Sequence, residues 1–245
     1  MRLHEMSSKV DKFVIVEACE TFRGNPKPFY FEKNKHLFEK FRDKIIHIKI
    51  TQPFKTDDPW KRERFQREQV LKGLTHAHGN DIILLSDLDE IVKAERIPEI
   101  AQIIGSKKAE AVVCNQKMYQ GYLNRYQCNW NGTVCTTLKN LKKMSPTMTR
   151  RLRNLKPRIL RKAGISNVTV VPDAGWHFTM MGGLDRAITK IESISHTEFD
   201  TPAYKDKVRL LQMIQAFPKV PIDDSFPRFV QENQTKLISA GFIDP

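Results

Sequence analysis

The segment from Asp81 to Glu90, DIILLSDLDE, constrains the fold more than any other part of this chain. Four consecutive apolar residues lead directly into two carboxylates, Asp87 and Asp89. A short apolar run between polar residues predicts a strand buried on both faces, as in a parallel sheet covered by helices. Because ligands bind at the carboxyl ends of such strands, we expect both aspartates at a ligand-binding edge.

The spacing of the two aspartates also indicates a chemistry. Two carboxylates one residue apart can share a hard divalent cation, and that cation can hold a diphosphate. An acidic turn that caps the following helix would contain the same residues. The segment alone therefore leaves two interpretations open, a metal site and a helix cap.

The charge of the chain favours anionic partners. Its 245 residues include 41 Lys and Arg but only 28 Asp and Glu, a net charge of +13. Such a balance favours nucleic acid, phosphate-bearing substrates or an anionic membrane surface. No apolar run is long enough to span a membrane, and no apolar signal-peptide region is visible. With four cysteines that lack C-x-x-C spacing, a cytoplasmic protein is expected, with peripheral membrane contact as an option.

The order of the predicted elements indicates an α/β fold. The pattern β-α-β-α-β-α-β over the first half predicts a mainly parallel sheet flanked by helices, and helices are expected to close the chain. The predicted strands are 12–19, 45–50, 82–85, 111–115 and 168–171, and the predicted helices are 33–44, 60–78, 97–104, 184–195, 207–217 and 229–240. No repeat or long linker divides the chain, so we expect one domain, with parts at 1–116, 117–200 and 201–245.

Several segments outside the central one carry candidate binding residues. The loop after the first strand carries Lys27 and could cradle a nucleotide, or it is an ordinary solvated turn. Residues 139–162 contain ten Lys or Arg and no acid, which is typical of a solvated face or of a basic flap over a diphosphate or an anionic surface. The aromatic residues of 118–130 are expected to pack on the sheet or to stack against a sugar or base. His177 lies between glycines and is either a core histidine or a ligand.

Motifs in a fixed order connect these segments to a known family. They read VDKFVIVEA, TFRGNPKP, FRDKIIHI, WKRERFQR, SDLDE, AGWHFTMMGG and SHTEF. Over residues 2–200 the chain resembles glycosyltransferase family 17, the bisecting-type N-acetylglucosaminyltransferases. The resemblance implies a GT-A-like, Rossmann-type mixed sheet, a UDP-GlcNAc donor, a divalent metal (Mn²⁺, or Mg²⁺) and inverting transfer to a glycan hydroxyl. Carried over by position, Asp87 and Asp89 match the D-x-D motif, and His177 matches the G-W-H motif, where a histidine can complete the metal shell.

This resemblance defines a mechanism with named roles. The metal would neutralise the leaving diphosphate, with added charge from Lys27, Arg67 or the basic stretch 139–162. Glu17, at the end of a strand, is expected to hold the base or ribose of the nucleotide. A carboxylate must deprotonate the acceptor hydroxyl. The candidates for this general base are Asp185 first and Asp173 second, followed by Glu90 and Glu198.

Two other functions are compatible with parts of the sequence. A haloacid-dehalogenase-like phosphatase also has an apolar strand that ends in D-x-D, but there a Gly and a Thr or Val follow the second aspartate, whereas Glu90 and Ile91 follow it here. A nucleic-acid-binding protein would account for the positive charge, but no recognisable binding module is present.

Overall fold

Eight β-strands form two sheets in the computed structural model, which describes residues 1–245. The strands are β1 (Phe13–Ala18), β2 (Ile45–Ile50), β3 (Ile82–Leu85), β4 (Glu90–Val92), β5 (Ala111–Gln120), β6 (Tyr126–Thr137), β7 (Val168–Val171) and β8 (Gly175–Thr179). Strands β1 and β2 pair in parallel, in register from Phe13–Ile45 to Ala18–Ile50. The larger sheet has the order β3-β6-β5-β8-β4, and β7 also pairs with β5.

The mixed α/β architecture expected from the sequence is confirmed, with a more even mixture of strand directions than expected. Three of the six pairings are parallel and three are antiparallel. Two of the antiparallel pairings arise because β5 continues past residue 115 and returns through a short loop as β6, and the third joins β4 to β8. Gly121, with φ of +79°, begins that loop, and a side chain is rarely tolerated in this conformation.

Twelve α-helices surround the sheets. They are α1 (Arg2–Met6), α2 (Tyr30–Asn34), α3 (Pro59–Glu68), α4 (Ile97–Gly105), α5 (Leu138–Met144), α6 (Pro146–Arg151), α7 (Pro157–Ala163), α8 (Leu184–Ser193), α9 (Pro202–Lys205), α10 (Lys207–Gln215), α11 (Arg228–Glu232) and α12 (Gln234–Ser239). Shorter 3₁₀ helices cover Lys35–Lys44, Gln69–Leu74, Ala94–Arg96, Leu152–Asn154 and Thr197–Phe199. No helix combines the length and apolar character that a membrane crossing requires.

Three predicted helices are shorter or more divided than their sequence patterns indicate. The helix predicted for 33–44 consists of the end of α2 and a 3₁₀ helix, Lys35–Lys44, with a break at Phe38. The helix predicted for 60–78 is α-helical only to Glu68 and continues as a 3₁₀ helix to Leu74. A Cβ atom at Gly73 would lie 2.5 Å from the Val14 side chain, so this segment packs very closely on β1. The helix predicted for 229–240 is interrupted at Asn233, whose φ and ψ of −121° and 21° are not helical.

The main hydrophobic core lies between the larger sheet and helices α1, α4 and α11. It contains 19 buried residues, including Ile100 and Ile104 on one face of α4 and Trp176 on β8. The three-to-four-residue spacing of isoleucines in α4 directs one apolar face to the sheet. This core fixes β4 and β8 side by side, and the two strands carry Glu90 and His177 as a register pair.

Gly175 allows β4 and β8 to approach. A Cβ atom at this position would lie 2.0 Å from the carbonyl oxygen of Ile91. We expect Gly175→Ala to lower the free energy of unfolding by about 3 kcal/mol because the two backbones must separate. Gly105→Ala is the control, because a Cβ atom at this position, at the end of α4, has no other atom within 4 Å. This substitution should stabilise the protein slightly. Urea unfolding of both variants tests this, and equal midpoints would contradict it.

Candidate functional site

The SDLDE segment forms a tight turn between two strands. Strand β3 ends at Leu85 and β4 begins at Glu90. The backbone N–H of Glu90 donates to the carbonyl of Asp87 at 3.1 Å, and the N–H of Asp87 donates to the Glu90 carboxylate at 3.1 Å. Leu88 lies at the tip of the turn and is 83 % exposed. Because the chain reverses within the motif, the two aspartates do not share one strand edge.

Glu90 is the buried centre of this turn. Its side chain has no exposed surface, and it accepts a hydrogen bond from the indole N–H of Trp130 at 3.0 Å. Arg150, on α6, forms an ion pair with the same carboxylate and also donates to the carbonyl of Gly132. Burial alone would lower the pKa of Arg150, but the Glu90 and Asp87 carboxylates outweigh it and the pKa is raised. This arginine therefore carries a fixed positive charge.

Asp87 faces arginine side chains. Nη2 of Arg150 lies 2.7 Å from its carboxylate. Nη2 of Arg67 and Nη1 of Arg153 lie 3.7 and 3.8 Å from the same carboxylate. Arg2 donates to its backbone carbonyl at 3.0 Å. Burial alone would raise the pKa of Asp87, but the charge and hydrogen bond of Arg150 lower it. Asp87 is consequently an ionised carboxylate within a cationic environment.

Asp89 belongs to a second group of side chains. Its carboxylate lies 3.3 Å from Nε2 of His177 and 2.5 Å from Nζ of Lys190, which also donates to the Thr179 hydroxyl. Burial alone would raise the pKa of Asp89, but the His177 hydrogen bond and the Lys190 charge hold it well below the usual range. The ring of His177 in turn lies 5.2 Å from that of Trp130.

A small polar cleft opens beside Asp87, and we call it the arginine pocket. Its volume is about 120 Å³, and its walls come from α3, α6 and the 3₁₀ turn that follows α6. The lining residues are Trp60, Glu63, Arg64, Arg67, Thr147, Arg150, Arg151, Arg153 and Asn154. Three of these arginines are the ones that contact Asp87. The cleft is therefore suited to an anion.

The residues expected to bind a nucleotide at the end of β1 have contacts elsewhere. Glu17 accepts from the backbone N–H groups of Phe31 and Glu32 at the start of α2, and it pairs with His47 at 2.9 Å. Lys27 donates to the carbonyl of Ala18 at 2.7 Å. These contacts account for both side chains within the fold, and their proposed role at a nucleotide stays a prediction.

Three of the four expected general bases pair with residues outside the Asp87–Glu90 turn. Asp173 pairs with Lys93 at 2.7 Å, and Asp185 is exposed and pairs with Lys207 at 2.6 Å. Glu198 pairs with a neighbouring histidine at the surface. Glu90, the remaining candidate, is buried in the ion pair described above.

The predicted metal ligands are only partly assembled. His177 and Asp89 are adjacent, whereas the Asp87 carboxylate faces Arg150. No group of three or more His, Cys, Asp or Glu side chains is arranged to hold a metal ion. Each aspartate is also bonded to a basic side chain, Asp87 to Arg150 and Asp89 to Lys190. The donor set as built does not fit a divalent cation.

Arg150 and Lys190 are important in the structure but were not individually visible in the sequence. Arg150 lies in the acid-free basic stretch 139–162, which signals positive charge without indicating which residue turns inward. Lys190 lies on an ordinary amphipathic helix. Tyr119, from the aromatic segment, is buried and stacks on Phe178 at 5.4 Å, so it serves sheet packing.

The chain is a mixed α/β protein with an arginine-lined cleft beside a charged turn, and similarity to known proteins specifies its family. The model of glycosyltransferase family 17 matches residues 1–135, more than half of the chain, and the chain belongs to this family. Human beta-1,4-mannosyl-glycoprotein 4-beta-N-acetylglucosaminyltransferase is 27 % identical over 99 residues, which are 37 % of this chain and 19 % of the human enzyme. The rat enzyme is also 27 % identical over 99 residues, 37 % of this chain and 18 % of the rat protein. The match thus spans about a fifth of these relatives.

Solved structures include a similar protein from S. aureus. TarS residues 1–349 are 14 % identical, with a TM-score of 0.41 over 98 % of this chain and 74 % of that one. A second structure of TarS, in complex with UDP, gives a TM-score of 0.40 at 13 % identity over 96 % of this chain and 74 % of that one.

The Arg150 ion pair is expected to dominate the stability of the site. Replacing Arg150 with Met leaves Glu90 and Asp87 without their main cation, and we expect the free energy of unfolding to fall by about 4 kcal/mol. Arg151→Met is the matched control, because the neighbouring Arg151 is exposed and forms no ion pair. Urea unfolding measures both. A loss for Arg150→Met no larger than for the control would contradict this account.

Proposed function

We propose that this glycosyltransferase moves a sugar, GlcNAc from UDP-GlcNAc as the first candidate, to a hydroxyl of a glycan acceptor with inversion at the anomeric carbon. Family membership supports glycosyl transfer as the reaction class. The observation that supports a nucleotide-sugar donor is the position of the Asp87–Glu90 turn beside the arginine pocket. Guanidinium groups match the geometry and charge of phosphate oxygens.

The proposed reaction is a single displacement. The acceptor oxygen forms a bond to the anomeric carbon, and the bond from that carbon to the diphosphate oxygen breaks. The electron pair remains on the leaving diphosphate, where Arg150 and Arg153 stabilise the developing charge. The proton of the acceptor hydroxyl passes to a carboxylate, for which Asp185 and Asp173 stay the predicted residues.

Two further expectations stay predictions. The Mn²⁺ ion that the resemblance implies on Asp87, Asp89 and His177 would supply Lewis-acid chemistry to the diphosphate, but these residues as arranged do not fit it, and no step of the proposed reaction depends on a metal. The lysines and arginines of 139–162 that face solvent, including Lys142 and Lys162, could bring the enzyme to an anionic membrane surface. The phosphatase and nucleic-acid alternatives have no comparable support, since the family match covers the segment that suggested the phosphatase.

A panel of nucleotide sugars tests this function. We expect hydrolysis or transfer with a UDP-sugar, and Asp89→Asn should lower kcat about 100-fold because His177 and Lys190 lose their shared anion. Asp11→Asn is the control, since Asp11 is exposed and forms no ion pair. The rate is measured as the release of UDP, which is quantified by chromatography. Absence of turnover with every nucleotide sugar would refute the proposal, and an unchanged rate for Asp89→Asn would show that the Asp89 charge takes no part in the reaction.

A further inference from the structure

Five arginines line the arginine pocket, whereas its one acidic lining residue is Glu63, which pairs with Arg67. Arg151 forms no ion pair, and Arg64 comes no closer than 4.0 Å to a carboxylate, that of Asp58. Like charges held close together repel. An anion in the pocket would relieve this repulsion.

Donors within the pocket also lack acceptors. Nε of Arg150, Nη1 of Arg153 and the hydroxyl of Thr147 are buried without a hydrogen-bond partner. The side chain of Arg150 is only 4 % exposed. Buried donors without acceptors are rare because each costs free energy. Three of them in one cleft indicate that a ligand with several acceptor oxygens completes the site.

The size of the pocket selects the kind of anion. Its volume of about 120 Å³ is well below the roughly 300 Å³ of pockets that enclose whole small molecules. The pocket is therefore large enough for a phosphate-bearing part of a ligand and too small for a nucleoside as well. A donor would place its diphosphate here and leave its base and sugar outside the pocket.

We propose that the arginine pocket binds the diphosphate of the nucleotide-sugar donor directly, without a bridging divalent cation. The inference rests on the proposed function and on a disagreement between the D-x-D motif and its surroundings. Arg150 and Lys190 already neutralise Asp87 and Asp89, so a divalent ion would have to displace a bonded basic side chain at each carboxylate. Arg150, tied to Glu90, instead presents a permanent cation to the phosphates.

Calorimetric binding of inorganic pyrophosphate and of UDP to the full chain, in buffer with EDTA, tests the proposal. We expect both to bind without metal, to compete with each other, and to gain less than about threefold in affinity from Mn²⁺. Arg151→Gln and Arg153→Gln should each weaken binding about tenfold, the effect of one lost charge-assisted hydrogen bond. Arg42→Gln removes an exposed positive charge outside the pocket and should leave affinity unchanged.

Three results would overturn the proposal. They are binding that appears only when Mn²⁺ is added, equal affinities for the pocket variants and wild type, and pyrophosphate binding that UDP does not displace. Pyrophosphate binding that UDP does not displace would mean that the pocket binds a phosphate from another source, such as an anionic acceptor. Turnover of a UDP-sugar in Mn²⁺ with no binding in EDTA would refute direct binding by arginine while leaving the glycosyltransferase function intact.

Discussion

The buried ion pair between Glu90 and Arg150 is the interaction on which the site depends. A carboxylate with no exposed surface is tolerated only when its charge and its oxygens are satisfied. Arg150, Trp130 and the backbone of Asp87 together meet that requirement. Because Arg150 also bonds to Asp87 and to Gly132, one guanidinium joins the turn to strand β6 and to helix α6. The position of the arginine pocket follows from this junction.

The same junction changes the meaning of the D-x-D motif. On an extended strand, residues i and i+2 point to the same side, and two carboxylates can share a ligand. Here a turn held by Glu90 lies between the strands, so Asp87 faces the arginines and Asp89 faces His177 and Lys190. The two sides of this turn therefore carry different charged groups. Guanidinium groups lie on one side, and an imidazole and an ammonium group lie on the other.

Local patterns predicted much of the fold because they depend on neighbours in sequence. The strands 45–50 and 168–171 coincide with β2 and β7, and the α/β class is confirmed. The β5–β6 hairpin was missed, since its apolar and aromatic residues satisfy more than one periodicity. The site was only partly predictable. Asp87 and Asp89 mark its place, but Arg150 is selected from ten basic residues by a contact with Glu90 across 60 positions of the chain, and no local pattern encodes such a contact.

That separation along the chain has a consequence for how the protein folds. Helix α6 follows β5 and β6 in the chain, and β6 pairs with β3, so we expect α6 to reach the β3–β4 turn after these strands have paired. Contacts between distant segments close large loops and form late, since the entropy of closure must be overcome first. Newly synthesised chains would thus pass through states in which Glu90 is hydrated and Arg150 is still free. We therefore expect the ion pair to slow unfolding more than it speeds folding, because interactions that are absent from the folding transition state act mainly on the unfolding rate.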